Sequence, residues 1–236
     1  MANNKSIKVA IHQPNFFPWL GYFDKIAKSD IFVFMDDVAY PKSGNSMGTW
    51  TNRVRLLVQG QPMWISCPVI REHGIQLIRN VKINNTNLWR DKLIKTISYN
   101  YRKSLHYNEM VDWITDMIEY DSDDLTTYNI NSILTICKKF GIDKNFVRQS
   151  DLHINTGNKG TDLLIDIVEA VGGNEYICGG GASGYQEDDK FETANIRLTY
   201  QNFMHPTYKQ NNFEKFTPGL SIIDYLMNCG YYDLWV

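Results

Sequence analysis

Residues 8–38, KVAIHQPNFFPWLGYFDKIAKSDIFVFMDDV, decide the fold class of this chain. Ile7–Ile11 and Ile31–Met35 are apolar runs without alternation, which is typical of strands buried on both faces of a parallel sheet. Between them apolar residues recur at helical spacing over Trp19–Ala27, and Pro18 suits the first turn of a helix. The stretch therefore predicts a strand, a helix and a second, parallel strand.

Polar side chains follow both predicted strands. His12 and Gln13 come directly after the first strand, and Asp36 and Asp37 follow the second. Because the carboxyl ends of parallel strands line the ligand crevice of an open α/β sheet, we expect these groups on one rim. Alternation along the strand lets only one aspartate face the crevice, and we assign Asp37. An imidazole with an ordinary pKa of about 6.5, oriented by a carboxylate, suits a general base. The alternative is that His12 caps the helix and the aspartates solvate a loop.

Length and charge limit the classes of protein to consider. The 236 residues suit a single α/β domain over 1–236, and the net charge of −2 creates no positive field that would attract nucleic acid. No run of about 20 apolar residues occurs, so we expect no membrane insertion. The four cysteines form neither a CxxC pair nor a Cys/His cluster, so we expect a cytoplasmic, reduced protein without a metal site.

The middle of the chain changes from strand to helix patterns. Val54–Val58 and Met63–Val69 predict a hairpin, and Ile75–Ile83 predicts a third strand. A helical insertion is expected over approximately 87–140, with helices over Tyr107–Glu119 and Leu125–Phe140. Thr86-Asn87 is expected to cap its first helix, in which Leu88, Leu93, Ile94 and Ile97 form the apolar face, and Asp121–Asp124 are expected to form a capping, solvated turn. The predicted fold class is α/β, with a mainly parallel, Rossmann-like sheet, a β-hairpin decoration and this insertion. The alternative is an α+β fold with a mostly antiparallel sheet.

Two later segments carry further candidate residues. The strand Tyr176–Cys178 leads into Gly179, Gly180 and Gly181, whose amides suit either an anion-binding nest or a tight turn. His205 follows the last predicted strand and is a second acid/base candidate, or else a histidine that packs within its loop.

Several stretches resemble the WbqC-like proteins of bacterial surface-polysaccharide gene clusters: VAIHQPNFFPWLGYFDKI, FMDDVAYPK, TNRVRL with GQPMWISCPV, the glycine-rich segment after Tyr176, YQNFMHPTYKQ and SIIDYLMNCG. The resemblance implies a part in lipopolysaccharide O-antigen synthesis, in which amino-acid or acyl groups are attached to amino sugars. It also draws attention to His12, Gln13, Asn15, Asp37, Lys42, Asn52, Arg53, Tyr200, Gln201, His205, Tyr208 and Gln210.

The function we expect is N-acyl or aminoacyl transfer to a nucleotide-linked amino sugar. A phosphopantetheine thioester or coenzyme A would be the donor, with no tightly bound cofactor, and an acyl carrier protein is a candidate partner. Thioesters are already activated, so we expect the amine to attack the thioester directly, with His12 as the general base. Asn52 or the backbone amides of Gly179–Gly181 are expected to donate to the oxyanion. Lys42 and Arg53 are expected to bind phosphate. Cys67 and Cys178 are not expected to act as nucleophiles.

Two other functions are kept open. One is a non-catalytic subunit that binds a carrier protein or sugar, because no cofactor motif is recognisable. The other is nucleotidyl transfer, because the first strand–helix–strand unit resembles nucleotidyltransferases and class I synthetase-like folds. Their HxGH signature is absent, however, since Pro18-Trp19-Leu20-Gly21-Tyr22 stands in its place.

Overall fold

The computed structural model describes residues 6–41, 49–155, 157–180, 186–211 and 215–231. Within them the protein is an α/β fold with a five-stranded parallel sheet, two small antiparallel sheets and seven α-helices, as the sequence predicts. The strands are β1 (Lys8–His12), β2 (Ile31–Phe34), β3 (Arg53–Val58), β4 (Gln61–Ser66), β5 (Val69–Ile70), β6 (Lys82–Ile83), β7 (Asn145–Arg148), β8 (Glu175–Cys178) and β9 (Arg197–Tyr200). The helices are α1 (Leu20–Lys28), α2 (Trp89–Tyr101), α3 (Tyr107–Glu119), α4 (Leu125–Lys139), α5 (Gly160–Ala170), α6 (Asp188–Thr193) and α7 (Ile222–Cys229).

The chain divides into two compact units. Unit 1 comprises Met1–Gln13, Tyr22–Asp36 and Ile142–Met204, and unit 2 comprises Pro14–Gly21, Asp37–Gly141 and His205–Val236.

Unit 1 holds the parallel sheet, in the order β7-β2-β1-β8-β9. β1 and β2 are parallel neighbours, with Val9 opposite Ile31 and His12 opposite Phe34, which confirms the predicted pair. All four residues of β2 are buried, which explains why its sequence does not alternate. Gly173 packs so closely on Val9 that an added Cβ would collide with the valine side chain.

Unit 2 combines the hairpin with four helices. β3 and β4 pair antiparallel around Gln59 and Gly60, whose φ angles of 52° and 75° suit a tight two-residue turn. In the core of this unit Phe16 and Phe17 pack against Tyr128 of α4. The side chain of Asn129 donates to the carbonyl oxygens of Pro14 and Thr51, at 2.8 and 2.7 Å. Buried backbone groups of the stretch after β1 are therefore satisfied within unit 2.

Local details differ from the sequence predictions between residues 75 and 88. Ile75–Ile83 does not add a third strand to the hairpin, because Ile78–Asn80 forms a 3₁₀ turn and β6 pairs with β5. Leu88 is 71% exposed and does not join the apolar face of α2, whose start has no side-chain cap. Asp124 does cap α4, accepting from the Thr127 amide at 2.7 Å, as predicted for the acidic turn.

Candidate functional site

The carboxyl edge of the sheet in unit 1 is the candidate site. β2 and β7 extend the sheet on one side of β1, while β8 and β9 extend it on the other. The direction of strand addition therefore switches between β1 and β8, which is where ligands bind in open α/β sheets. Six predicted residues of unit 1 lie at the carboxyl end of a strand or directly after it: His12, Gln13, Gly179, Gly180, Tyr200 and Gln201.

His12 has a defined tautomer at the end of β1. Its Nδ1 lies 3.2 Å from the carbonyl oxygen of Gln13, which also accepts from the Tyr22 hydroxyl at 3.0 Å. The tyrosine ring meets the imidazole edge-on, with centroids 4.8 Å apart. Because a carbonyl oxygen only accepts, we assign the hydrogen to Nδ1, which leaves the lone pair on Nε2. Nε2 can therefore accept a proton or hydrogen bond from a ligand.

Lys25 was not predicted, yet it lies at the same strand end. Its side chain is only 4% exposed, and Nζ donates to the carbonyl oxygen of Ile11 at 2.8 Å. Nζ also lies 5.8 Å from the centroid of the Tyr176 ring. Burial lowers the pKa of Lys25 from 10.5 to about 8. The signal in the sequence was its position on the inward face of α1, which a lysine rarely occupies.

Burial also changes the expected chemistry of His12. Desolvation, followed by the positive charge of Lys25, lowers its pKa from 6.5 to about 3. The ordinary pKa of about 6.5 assumed from the sequence is therefore not that of the folded protein. His12 is a neutral imidazole throughout the physiological pH range.

The two adjacent aspartates have separate roles. Asp36 is fully buried and accepts three hydrogen bonds at 2.9 Å, from Nε of Arg148 and from the backbone amide and hydroxyl of Ser150, while Nη2 of Arg148 forms an ion pair with it at 2.9 Å. It therefore ties the end of β2 to the residues after β7. Asp37 belongs to unit 2, where its carboxylate accepts from Arg79 Nε at 2.5 Å. The expected pairing of His12 with Asp37 stays a prediction.

The side chains of Tyr200 and Gln201 each bond a carboxylate of unit 1, Asp188 and Asp24 respectively. The side-chain amide of Gln201 donates to the Asp24 carboxylate at 2.7 Å. Nζ of Lys28 forms an ion pair with the same carboxylate at 2.9 Å and donates to the backbone carbonyl oxygen of Gln201. The Tyr200 hydroxyl donates to Asp188 at 2.6 Å, and that bond raises the pKa of Tyr200 to about 12. Substrate binding by either residue stays a prediction.

The cysteines and glycines fit an attack without a thiol nucleophile. Burial raises the pKa of Cys178, and it raises that of Cys67 to about 12, so both are thiols near neutral pH. A Cβ added to Gly179 or Gly180 would have no atom of the described residues within 4 Å. Gly181 lies outside the described residues, as does Lys42.

In unit 2, two predicted residues converge on a carboxylate that the sequence analysis missed. The Tyr208 hydroxyl and the Gln210 amide donate to Oδ2 of Asp224 at 2.7 and 3.0 Å, and Tyr101 donates to Oδ1 at 3.0 Å. Asp224 is fully buried, and desolvation raises its pKa. A charged residue within the apolar run LSIIDYLM was the available signal. His205 packs near this group, with its ring 6.2 Å from that of Tyr208.

Three other predicted residues belong to unit 2: Asn15 in the stretch after β1, Asn52 just before β3, and Arg53 at the start of β3. The side chain of Asn52 already has hydrogen-bond partners: its Oδ1 accepts from the Thr49 hydroxyl at 2.5 Å, and its Nδ2 donates to the carbonyl oxygen of Cys67 at 2.9 Å. Asn15 is 4% exposed, and its Oδ1 has no hydrogen-bond partner among the described residues. The guanidinium of Arg53 lies over Trp64. The structure gives Asn15 and Arg53 unused hydrogen-bonding capacity, which Asn52 largely lacks.

A cavity of about 250 Å³ also lies in unit 2. It is lined by Tyr40, Arg71, Glu72, His73 and Gln76. Burial raises the pKa of Tyr40, while the charges of Arg71 and Arg53 act in the opposite direction. Arg53 is therefore within electrostatic reach of the cavity.

Two negative findings apply to the described part of the chain. No group of three or more His, Cys, Asp or Glu residues is placed there to hold a metal ion. None of the helices described is both long enough and apolar enough to cross a membrane.

The fold and the site define an α/β protein whose parallel sheet has its switch point beside the part-buried His12 and the buried Lys25. The chain belongs to the WbqC-like protein family, whose sequence model matches residues 13–234. It is also 31% identical over 226 residues to Uncharacterized protein Rv1507c of Mycobacterium tuberculosis, which covers 94% of each chain. No solved structure was found to match.

Proposed function

We propose that this protein transfers an acyl or aminoacyl group to the amine of a nucleotide-linked amino sugar in the cytoplasm, during O-antigen or other surface-glycan synthesis. The substrate class follows from the likeness to polysaccharide gene-cluster proteins. The observation that carries the reaction type is the desolvated end of β1, where burial lowers the pKa of both His12 and Lys25.

This environment suits an amine acceptor. An amine attacks a thioester only in its uncharged form, and most sugar ammonium groups must first lose a proton. The low polarity that disfavours the charged forms of His12 and Lys25 also disfavours a substrate ammonium bound beside them. The site therefore raises the fraction of free amine before the reaction begins.

The proposed reaction is direct attack. The amine nitrogen forms a bond to the thioester carbon, the carbon–sulfur bond breaks, and the amine proton passes through Nε2 of His12 to the leaving thiolate. Gln13 holds the tautomer that this transfer requires. With a pKa of about 3 His12 is a weak base, so in this proposal it takes the proton only once the bond between nitrogen and carbon has made the amine acidic, and it passes the proton on to sulfur.

Other residues enter the proposal as expectations. The amides after β8, at Gly179 and Gly180, are candidate oxyanion donors because a Cβ added to either would have no atom of the described residues within 4 Å. Arg53 is the candidate phosphate ligand of unit 2. Asp37, Lys42 and the second acid/base candidate His205 keep the roles that the sequence analysis assigned to them.

The test is mass spectrometry of UDP-linked amino sugars incubated with the protein and acyl-coenzyme A or acyl carrier protein thioesters. A new amide on the sugar, dependent on the protein and abolished when a hydroxyl replaces the sugar amine, is the expected result. Transfer that leaves the acyl group on a cysteine would contradict direct attack. Pyrophosphate release from ATP without amide formation would replace acyl transfer by nucleotidyl transfer. An intact protein that binds the sugar and forms no product in any arm would be a binding subunit.

A further inference from the structure

The exposed face of the β3–β4 hairpin carries an unusual group of side chains, which we call the arginine–tryptophan face: Trp50, Arg53, Arg55 and Trp64. Arg53 and Arg55 are two residues apart on β3, so their side chains leave the same face of the strand. Trp64 of β4 lies directly opposite Arg55. The register of the hairpin therefore places two positive charges and an indole together.

Both guanidinium groups converge on one ring. The guanidinium carbon of Arg53 lies 4.3 Å from the centroid of the Trp64 ring, and that of Arg55 lies 5.8 Å away. Trp50 packs edge-on against the same ring at 5.0 Å. Trp64 remains 38% exposed, so solvent and ligands reach the face.

These two arginines lack the acidic partners that Arg79, Arg148 and Arg197 have. Arg148 is paired with Asp36 and Arg79 with Asp37, whereas no described carboxylate forms an ion pair with Arg53 or Arg55. Nε of each is buried without a hydrogen-bond partner among the described residues. Arg55 donates one long bond of 3.4 Å to the Gly219 carbonyl oxygen. The protein therefore keeps two like charges beside one ring, each with a buried Nε that has no partner in the described part of the chain, which is costly without an anion.

We propose that the arginine–tryptophan face binds the diphosphate of a nucleoside diphosphate ester. Each guanidinium presents a planar fork of donors that matches phosphate oxygens, and two forks on one strand face suit two linked phosphates. The exposed indole supplies a surface for the ring of the nucleoside. The charge of Arg53 also acts on Tyr40, which lines a cavity of about 250 Å³ in the same unit.

This inference rests on the proposed function for the choice of ligand, because nucleotide sugars and coenzyme A both contain a nucleoside diphosphate. Isothermal titration of the full chain with UDP, coenzyme A, inorganic pyrophosphate and uridine tests it. We expect the diphosphates to bind and uridine to bind far more weakly. Tighter binding of UDP assigns the face to the sugar acceptor, and tighter binding of coenzyme A assigns it to the acyl donor. Uridine bound as tightly as UDP would overturn the proposal.

Substitutions of single arginines test whether Arg55 contributes to diphosphate binding. Arg55→Gln should weaken UDP and pyrophosphate binding by about tenfold to a hundredfold, the usual effect of losing a hydrogen bond between charged groups. Arg55→Lys should lose less, because it keeps the charge but not the fork, and it remains informative if the glutamine variant fails to fold. Arg102→Gln is the matched control, since Arg102 also lies over an aromatic ring, that of Tyr99 at 5.5 Å, on another part of unit 2. Equal weakening by the Arg55 and Arg102 variants would overturn the site.

The binding measurement is independent of turnover, so the two proposals can fail separately. A protein that acylates the sugar but binds no diphosphate through Arg55 would overturn the arginine–tryptophan face alone. A protein that binds UDP through Arg55 but forms no amide would overturn the proposed reaction alone.

Discussion

Replacing Lys25 with methionine should stabilise the protein at pH 7, and the gain should shrink as the pH rises. Lys25 is 4% exposed, and burial lowers its pKa from 10.5 to about 8. At 1.36 kcal/mol for each pH unit, keeping this ammonium charged in the folded state costs about 3 kcal/mol of stability. Methionine keeps the apolar stem but loses the hydrogen bond to the Ile11 carbonyl oxygen, which contributes about 1 kcal/mol. The expected net gain at pH 7 is about 2 kcal/mol.

The sign of the pH dependence follows from proton binding. Between pH 8 and 10.5 the unfolded chain binds more protons at this lysine than the folded protein does, so rising pH stabilises the fold through Lys25. Between pH 7 and 9.5 this contribution grows by about 2 kcal/mol in the native sequence and is absent from the variant. The advantage of Lys25→Met should therefore nearly vanish at pH 9.5.

Urea denaturation of both proteins at the two pH values measures this difference. Buried groups such as Tyr128 and Cys137, whose pKa values burial raises, also change stability at alkaline pH, but they are present in both proteins. Lys28→Met is the control, because Lys28 lies on the same helix with its side chain 47% exposed. If the difference in unfolding free energy between Lys25→Met and the native protein were the same at pH 7 and 9.5, the lowered pKa of Lys25 would be refuted.

Four further substitutions test the site and its support. His12→Ala should reduce acyl transfer by about 10²–10⁴-fold in a protein that remains folded. Because the pKa of His12 is about 3, the rate of the native enzyme should show no inflection from this residue between pH 5 and 8, and an inflection near 6.5 that disappears in the alanine variant would contradict its burial. Asp36→Ala should destabilise the fold by about 1–3 kcal/mol in urea denaturation, since it leaves the Ser150 amide without its acceptor, while water can solvate Arg148, whose side chain is 37% exposed, and an unchanged stability would argue against a structural role. Cys67→Ser and Cys178→Ser should remain active in the mass-spectrometric assay, and loss of transfer in a folded variant of either would indicate a thiol mechanism.

The positive charges of unit 2 illustrate what sequence reasoning misses. Arg53 was chosen from the family resemblance and as a possible phosphate ligand, but Arg55 was not, since it appears in the sequence as one residue of an ordinary strand. The hairpin register places Arg55 opposite Trp64 and leaves both arginines without acidic partners. Asp224 was missed for a similar reason, because its three donors come from residues 101, 208 and 210.

The sequence by itself determined the elements whose signals are local. Apolar runs without alternation and a helix between them specified the parallel pair β1 and β2, and helical periodicity with the Asp124 cap specified α4. These patterns act over a few residues, so reading the chain in order is enough to find them.

Only the tertiary structure decided the strand order, the separate roles of Asp36 and Asp37, and the protonation of His12. Asp36 meets Arg148, 112 residues further along the chain, and no local pattern encodes such a pairing. The pKa of His12 depends on desolvation by the surrounding fold and on the charge of Lys25. Residue type sets the ordinary pKa, but the environment that shifts it exists only once distant segments have packed together.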